Sequence, residues 1–353
     1  MADQKHILVA PLNWGLGHAT RCIPIINALM AHGFTPIIAT DGAALALLQA
    51  EFPGLICLKL PGYQISYAKT ASFFTTKLLF QTPKILKTIA AEKKEIAKIV
   101  SSYHVVGIIS DNRFGAYHPN IPCVFITHQL QVLSGLTTRF STHIHNSIIK
   151  KFNTCWVPDA SGTLNFSGRM GHVKQPVIKT NYLGPLSRFK KINTPILYDL
   201  LVLLSGPEPQ RQILETKLLN ELNSYSGKIV FIKGVVEKTI TKKTTGNMCI
   251  YNYLTADRLE QVINQSELVL SRSGYTTIMD LATLQKKAFF IPTPGQFEQT
   301  YLAKRLKKQG LAPYCQQDKF TSSALEAVKY YKGLHTFKQE TDFKDLFSLF
   351  QTK

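Results

Sequence analysis

The chain has 353 residues, 45% of them hydrophobic and 18% charged, and a formal net charge of +19. That length favours two domains, and the composition supplies a sizeable core and excludes a disordered chain. No run of 18 apolar residues occurs, so no membrane span is expected, and the positive charge points to an anionic partner: nucleic acid, a nucleotide diphosphate or a membrane's inner face.

Residues 6–10 form a short apolar run that feeds a glycine loop rather than a cleavage site, which reads as a buried strand and not a signal peptide. A helix is predicted over 21–31, a strand over 35–40, and a helix over 43–51 with Asp41 as its cap. Strands over 105–110 and 123–126 follow, then a helical segment from about 140 to 151. Residues 177–195 carry Gly184-Pro185 and end on Pro195 without periodicity, so the boundary is placed there: 1–182 as one domain, 183–353 as the other. The final helix is allowed to pack back on the first domain.

The second half opens on a continuous apolar strand over 196–205. Helices are predicted over 212–222, 257–265, 276–284 and 297–308, with strands over 228–233, 248–251, 267–271 and 288–292 between them. This alternation implies an α/β protein with two parallel sheets of Rossmann type, facing across a cleft. Ligands of such sheets bind beyond the carboxyl ends of the strands. Cys22, Cys57, Cys123, Cys155, Cys249 and Cys315 are scattered without a Cys-x-x-Cys pair, which argues against zinc or a disulfide framework and fits a reducing cytoplasm.

The candidate chemistry sits just after strands. In Asn13-Trp14-Gly15-Leu16-Gly17-His18-Ala19-Thr20-Arg21, Gly15 and Gly17 permit a tight turn into a helix, and His18 is placed to act as a general base or, more plainly, to cap the turn. Asp111 opens the polar turn Asp111-Asn112-Arg113-Phe114-Gly115 and is the alternative base, or a capping residue. His128 reads as lining, and His143 and His145 lack a metal-type partner. Ser205-Gly206-Pro207 follows the first strand of the second half, as a phosphate loop or simply a tight turn. Ser271-Arg272-Ser273-Gly274-Tyr275 ends a strand and opens a helix, offering amides and hydroxyls to a diphosphate, and Asp280 two turns along suits a ribose. Glu298 and Gln299 at the start of the next helix suit sugar hydroxyls.

These spacings resemble glycosyltransferase family 28, the group that includes the lipid II-forming N-acetylglucosaminyltransferases of peptidoglycan synthesis. The likeness lies mainly over 257–311, where Arg272, Ser273, Gly274, Asp280 and Gln299 fall at the family's positions for pyrophosphate, ribose and donor sugar. Gly15 to His18 resembles the family's first glycine loop, and Gly184-Pro185-Leu186-Ser187-Arg188 its inter-domain segment, which nominates Arg188 as a phosphate contact. The resemblance implies GT-B architecture, a uridine diphosphate sugar (UDP-sugar) donor and inversion at the anomeric carbon. Thr300 stands where the family has a second glutamine, and Ser205-Gly206-Pro207 replaces its Gly-Gly-Ser loop, so the chain resembles a relative rather than the peptidoglycan enzyme itself.

No Asp-x-Asp occurs, so no metal or other cofactor is expected, and helix N-termini and arginine are expected to meet the leaving diphosphate. Residues 73–98 interleave apolar side chains with Lys77, Lys84, Lys87, Lys93 and Lys94, an ordinary core-facing helix or one that docks on an anionic membrane carrying a lipid-linked acceptor. The expected location is the cytoplasm, at the inner face of the membrane. Three other readings stay open: a UDP-sugar epimerase of the same fold, a basic nucleic-acid-binding protein, and an NAD oxidoreductase using Asp41. Neither stacking platforms nor a nucleic-acid motif is found, and no nucleic-acid partner is expected.

Overall fold

Ile7 and Val9 enter one apolar layer while Leu8 and Ala10 enter another, the period of two that a strand buried on both faces must show. A computed structural model of the chain describes residues 5–63, 74–235, 237, 239–335 and 341–351, with the side chains of 74–82 and 136 outside that description. The described chain divides into two compact units. The first runs to Arg188 and takes back the C-terminal residues, and the second begins at Phe189.

The first unit is built from β1 (His6–Pro11), α1 (Gly17–Ala31), β2 (Thr35–Thr40), α2 (Gly42–Glu51), β3 (Ile56–Lys59), α3 (Phe74–Tyr103), β4 (Val105–Asp111), β5 (Cys123–Ile126), α4 (Thr138–Ile149), β6 (Thr154–Val157) and β7 (Thr180–Tyr182). Its strands lie in the order β3-β2-β1-β4-β5-β6-β7, every pair parallel. Ile23 and Ile26 of α1 and Leu48 of α2 pack on one face, and Ile96 and Ile99 of α3 with Ile149 of α4 on the other. The chain runs outward from β1 to β2 and β3, then returns to place β4 on the other side of β1. That reversal creates a crevice at the carboxyl ends of β1 and β4.

The second unit contains β8 (Tyr198–Leu203), α5 (Gln210–Glu221), β9 (Ile229–Ile232), β10 (Lys242–Thr245), β11 (Met248–Tyr251), α6 (Ala256–Asn264), β12 (Ser266–Ser271), α7 (Tyr275–Thr283), β13 (Lys287–Phe290) and α8 (Phe297–Lys308). Strand order is β10-β11-β9-β8-β12-β13, parallel except for the β10–β11 hairpin. Here the reversal falls between β8 and β12. A last helix, α9 (Phe343–Ser348), belongs to the first unit, where Leu346, Phe347 and Phe350 join the layer of Ile7, Val9 and Trp156. Phe350 lies against the Cα of Gly107 on β4, in space that a Cβ would occupy.

Candidate functional site

The β1–β4 crevice holds a buried charge cluster. Gly15, at φ +80°, turns the chain out of β1 in a conformation that side chains resist, and Gly17 begins α1. His18 and Arg21 are three residues apart on α1, so both face the end of β4. There Asp111 is fully buried, its carboxylate accepting from Arg21 Nε at 2.5 Å, from Arg21 Nη2, and from His18 Nδ1 at 2.8 Å. Arg21 Nη1 lies 3.2 Å from Nδ1 of the buried His128 at the end of β5.

Arg21 Nη2 also approaches His18 Nδ1 to 2.9 Å, and one ring nitrogen cannot both accept from arginine and donate to the carboxylate. A bare Nδ1 would set its lone pair against the Asp111 oxygen. The favoured tautomer therefore carries its proton on Nδ1, leaving Nε2 as the basic atom. Burial pushes the Asp111 carboxyl up, but Arg21 and then His18 overcome this and hold it well below the usual carboxylate range. Burial also lowers His18, with Asp111 opposing and Arg21 adding to the fall. The arrangement suits a neutral imidazole that takes a proton at Nε2 while a permanently ionised carboxylate stabilises the cation.

Of the two bases considered from sequence, Asp111 has no oxygen left to meet an acceptor, which makes it the group that orients His18. Arg21 ends the glycine motif without a role of its own in the sequence, and its spacing of three residues from His18 is the signal for its place in the cluster. The NAD reading of Asp41 fails on geometry: one oxygen accepts from Arg113 at 2.9 Å and the other from Asn13 at 3.1 Å. Asp41 occupies the N-cap of α2 as read, but its side chain makes no capping bond, and Asn13 Oδ1 accepts the Ala44 amide at 3.3 Å. Arg113 also pairs with the fully buried Glu92 of α3, which in turn accepts from Tyr63 at 2.6 Å and from the Gly115 amide at 2.8 Å. His143 is exposed, and buried His145 packs edge-on against Phe114 and Phe125. Among the described residues no group of three or more His, Cys, Asp or Glu converges.

In the second unit three βα loops meet at the β8–β12 reversal. Ser205 and Gly206 follow β8 and are exposed. Ser273 and Gly274 lead into α7, whose N-cap residue Gly274 contributes no side-chain hydrogen bond. Thr293 to Gln299 lead from β13 into α8, with Glu298 half-buried in the first turn of that helix. Asp280 is half-buried on α7. Arg188 is half-buried at the last position of the first unit.

Arg272 ties these loops together through its terminal nitrogens, while its Nε is buried with no partner among the described residues. Its buried guanidinium donates through Nη1 to the carbonyls of Ile291 (3.1 Å) and Pro292 (3.2 Å) and through Nη2 to Gln210 O (2.9 Å) and Gln317 Oε1 (2.6 Å). Burial lowers it to about 10. Ser273 Oγ donates to Gln299 O at 2.8 Å, which pins α8 to the start of α7. Both arms of the Gln299 amide are engaged: Oε1 accepts from Thr293 N–H at 2.8 Å, and Nε2 donates to Gln296 Oε1 at 2.6 Å. Arg272 and Gln299, read from sequence as ligand contacts, both hold loops in the unliganded fold. Sequence spacing locates such residues but does not tell which way they point.

Residues 210–339 match the glycosyltransferase family 28 C-terminal domain, which takes in α7, α8 and their loops. The chain is 25% identical to a UDP-N-acetylglucosamine–N-acetylmuramyl-(pentapeptide) pyrophosphoryl-undecaprenol N-acetylglucosamine transferase of Clostridium tetani, over 89% of this chain and 86% of that one. Against the protein of the same name from Haemophilus ducreyi it is 26% identical over 215 residues, 58% of this chain and 56% of the relative. The solved structure of MurG from Acinetobacter baumannii superposes with a TM-score of 0.55 at 14% identity, covering 94% of this chain and 93% of that one. With its two Rossmann-like units the chain has the GT-B architecture, and residues 210–339 of the second unit carry its likeness to the family 28 glycosyltransferases.

Proposed function

We propose that this protein transfers a sugar, with N-acetylglucosamine the leading choice, from a UDP-sugar to a hydroxyl of a lipid-linked acceptor, with inversion and without a metal. The observation that carries the reading is the meeting of three βα loops at the strand-order reversal of the second unit, two of them inside the stretch matching the family 28 domain. The backbone of Ser205, Gly206, Ser273 and Gly274, with the positive end of α7, meets the diphosphate. Arg188 adds positive charge. Asp280 takes the ribose hydroxyls, and Glu298 with Gln296 reads the sugar. The names of the two relatives support the donor and the lipid-linked acceptor.

His18 is the base. Its Nε2 removes the acceptor proton as the acceptor oxygen attacks the anomeric carbon, and the bond to the UDP oxygen breaks on the opposite face. Asp111 and Arg21 hold the ring and its tautomer. Oriented amides would stabilise the charge developing on the leaving diphosphate in place of a divalent ion.

The test is calorimetric titration with UDP and a panel of UDP-sugars in excess EDTA, followed by transfer assays with lipid-linked acceptors. Binding that disappears in EDTA and returns with magnesium would overturn the metal-free mechanism. Release of an epimerised donor in the absence of acceptor would replace transfer by epimerisation.

A further inference from the structure

Thr293, like Arg272 at Nε, is a buried polar side chain of the second unit with an orphan atom. It is 2% exposed, and its Oγ1 is buried with no hydrogen-bond partner among the described residues. Neighbouring hydroxyls at the same level behave differently: Ser271 Oγ donates to Arg272 O at 3.2 Å and Ser273 Oγ to Gln299 O at 2.8 Å. A hydroxyl removed from water without an acceptor is unfavourable, so an orphan held in this way needs a reason.

The surroundings supply one. Thr293 is fixed from both sides: Gln299 Oε1 accepts its amide, and Arg272 holds the carbonyls of the two residues before it. Across from it lies Gly206, whose φ of +109° no other residue adopts easily. A Cβ on Gly206 would find Thr293 Oγ1 at 4.0 Å and, beyond its chain neighbours, no other described atom within that distance, so the space beside the glycine is open and the hydroxyl borders it. That space lies at the carboxyl ends of β8 and β13, under an exposed Ser205-Gly206 loop, flanking the start of α7 on β12.

We infer that Thr293 is a donor-site residue whose hydroxyl donates a hydrogen bond to a phosphate oxygen of the bound nucleoside diphosphate. The inference rests on the donor reading of the second unit and adds a residue that neither motif spacing nor the family resemblance nominates. A phosphate oxygen brings the acceptor that the protein withholds, and a hydroxyl locked in place loses little freedom when it bonds. Gln299 and Arg272 act on the ligand through Thr293, by setting the loop that presents it.

The experiment compares wild type, Thr293→Val and Thr293→Ser by calorimetric titration with UDP and with uridine, and by thermal melting without ligand. Valine keeps the shape and removes the hydroxyl. UDP affinity is expected to fall about 10- to 100-fold in Thr293→Val, the range for a hydrogen bond to a charged group, and to stay within a few-fold of wild type in Thr293→Ser. Uridine affinity should be unchanged. The unliganded Thr293→Val protein should melt no lower than wild type, because no native hydrogen bond is lost. Unchanged UDP affinity in the valine variant overturns the inference and leaves the donor reading standing. A lower melting temperature with equal losses for UDP and uridine makes Thr293 a packing residue and also overturns it. Failure of the wild-type protein to bind UDP overturns the donor reading, and this inference with it.

Discussion

His18 and Asp111, 93 residues apart in sequence, meet at 2.8 Å because β1 and β4 are neighbours at the strand-order reversal of the first sheet. The first turn of α1 delivers the imidazole and the end of β4 delivers the carboxylate. Arg21, one helical turn on, clamps the carboxylate from its other side. If Nε2 of His18 is the base, His18→Gln should lower turnover by roughly 10²–10⁴-fold. UDP affinity should be nearly unchanged, since the ring has no part in the second unit's loops. Single-turnover transfer and UDP titration on the same preparation check both halves, and turnover above a third of wild type would remove His18 from the mechanism.

The pH dependence follows from the same cluster. A base works when unprotonated, and burial holds His18 below its ordinary value of 6.5. Activity should therefore be full at neutral pH and fall only as the pH drops below about 6.5 through the lowered value. Asp111 opposes that lowering, so Asp111→Asn should move the acid limb further down while reducing turnover. A carboxylate that merely braced the fold would leave the position of the limb unchanged.

Stability tests Asp111 independently. Its folded carboxyl is held below the unfolded value, so its contribution is present above that value and is lost as the pH falls through the folded one. Asp111→Asn leaves the buried Arg21 uncompensated, a change that typically costs about 3–5 kcal/mol. Urea denaturation at neutral pH should show a loss of that order, shrinking towards acid pH as the wild-type carboxylate is itself protonated.

The layout of strands and helices was largely legible, because parallel strands buried on both faces read as apolar runs and the glycine loops follow them. What escaped has physical causes. In β10, Lys242 to Thr245 are all exposed, so no apolar pattern marks an edge strand defined only by its pairing with β11. In β3 and β7 no residue is fully buried, and β6 is only four residues long. The final segment packs back on the first unit, as the sequence allows, but its contacts through Phe347 and Phe350 depend on tertiary packing. Within the site, His18, Asp111, Ser273 and Asp280 were nominated by spacing. The inward turn of Arg272, the engaged amide of Gln299 and the clamp of Arg21 depend on side-chain direction, which one sequence does not encode in a readable way.

Arg272 and Gln299 give a contrast that separates holding a loop from touching a ligand. Arg272→Ala would leave the carbonyls of Ile291, Pro292 and Gln210 without their donor, and each buried unsatisfied group costs about 1–3 kcal/mol. A melting temperature lower by several degrees without ligand is expected, together with weaker UDP binding. Gln299→Ala frees the Thr293 amide and should weaken UDP and UDP-sugar alike. Loss confined to the UDP-sugar would restore a direct sugar contact for Gln299.

The basic helix α3 carries the last prediction. Its inner face is fixed by Glu92, Ile96 and Ile99, which are buried in the first unit, so the helix is anchored there. Elsewhere on the helix Lys84 and Lys87 are exposed and Leu86 is 61% exposed. Phe73, Phe74, Lys77, Leu79 and Phe80 belong to the same basic segment in the sequence, and their side chains lie outside the described residues. No helix among the described residues is long and apolar enough to cross a membrane. Contact with a bilayer carrying the acceptor would then be peripheral, with each lysine contributing about 1 kcal/mol near an anionic surface and Leu86 adding apolar burial. The attraction should weaken as salt rises and the screening length shortens to roughly 8 Å at physiological ionic strength. The measurement is sedimentation with anionic and with neutral vesicles, comparing wild type with Lys84→Glu/Lys87→Glu. Reversal of two charges should reduce pelleting on anionic vesicles by at least tenfold in partition coefficient and leave transfer to a short-chain, detergent-dispersed acceptor intact. Equal pelleting of the two proteins would make this face ordinary solvated surface and shift the acceptor from a membrane lipid to a soluble molecule.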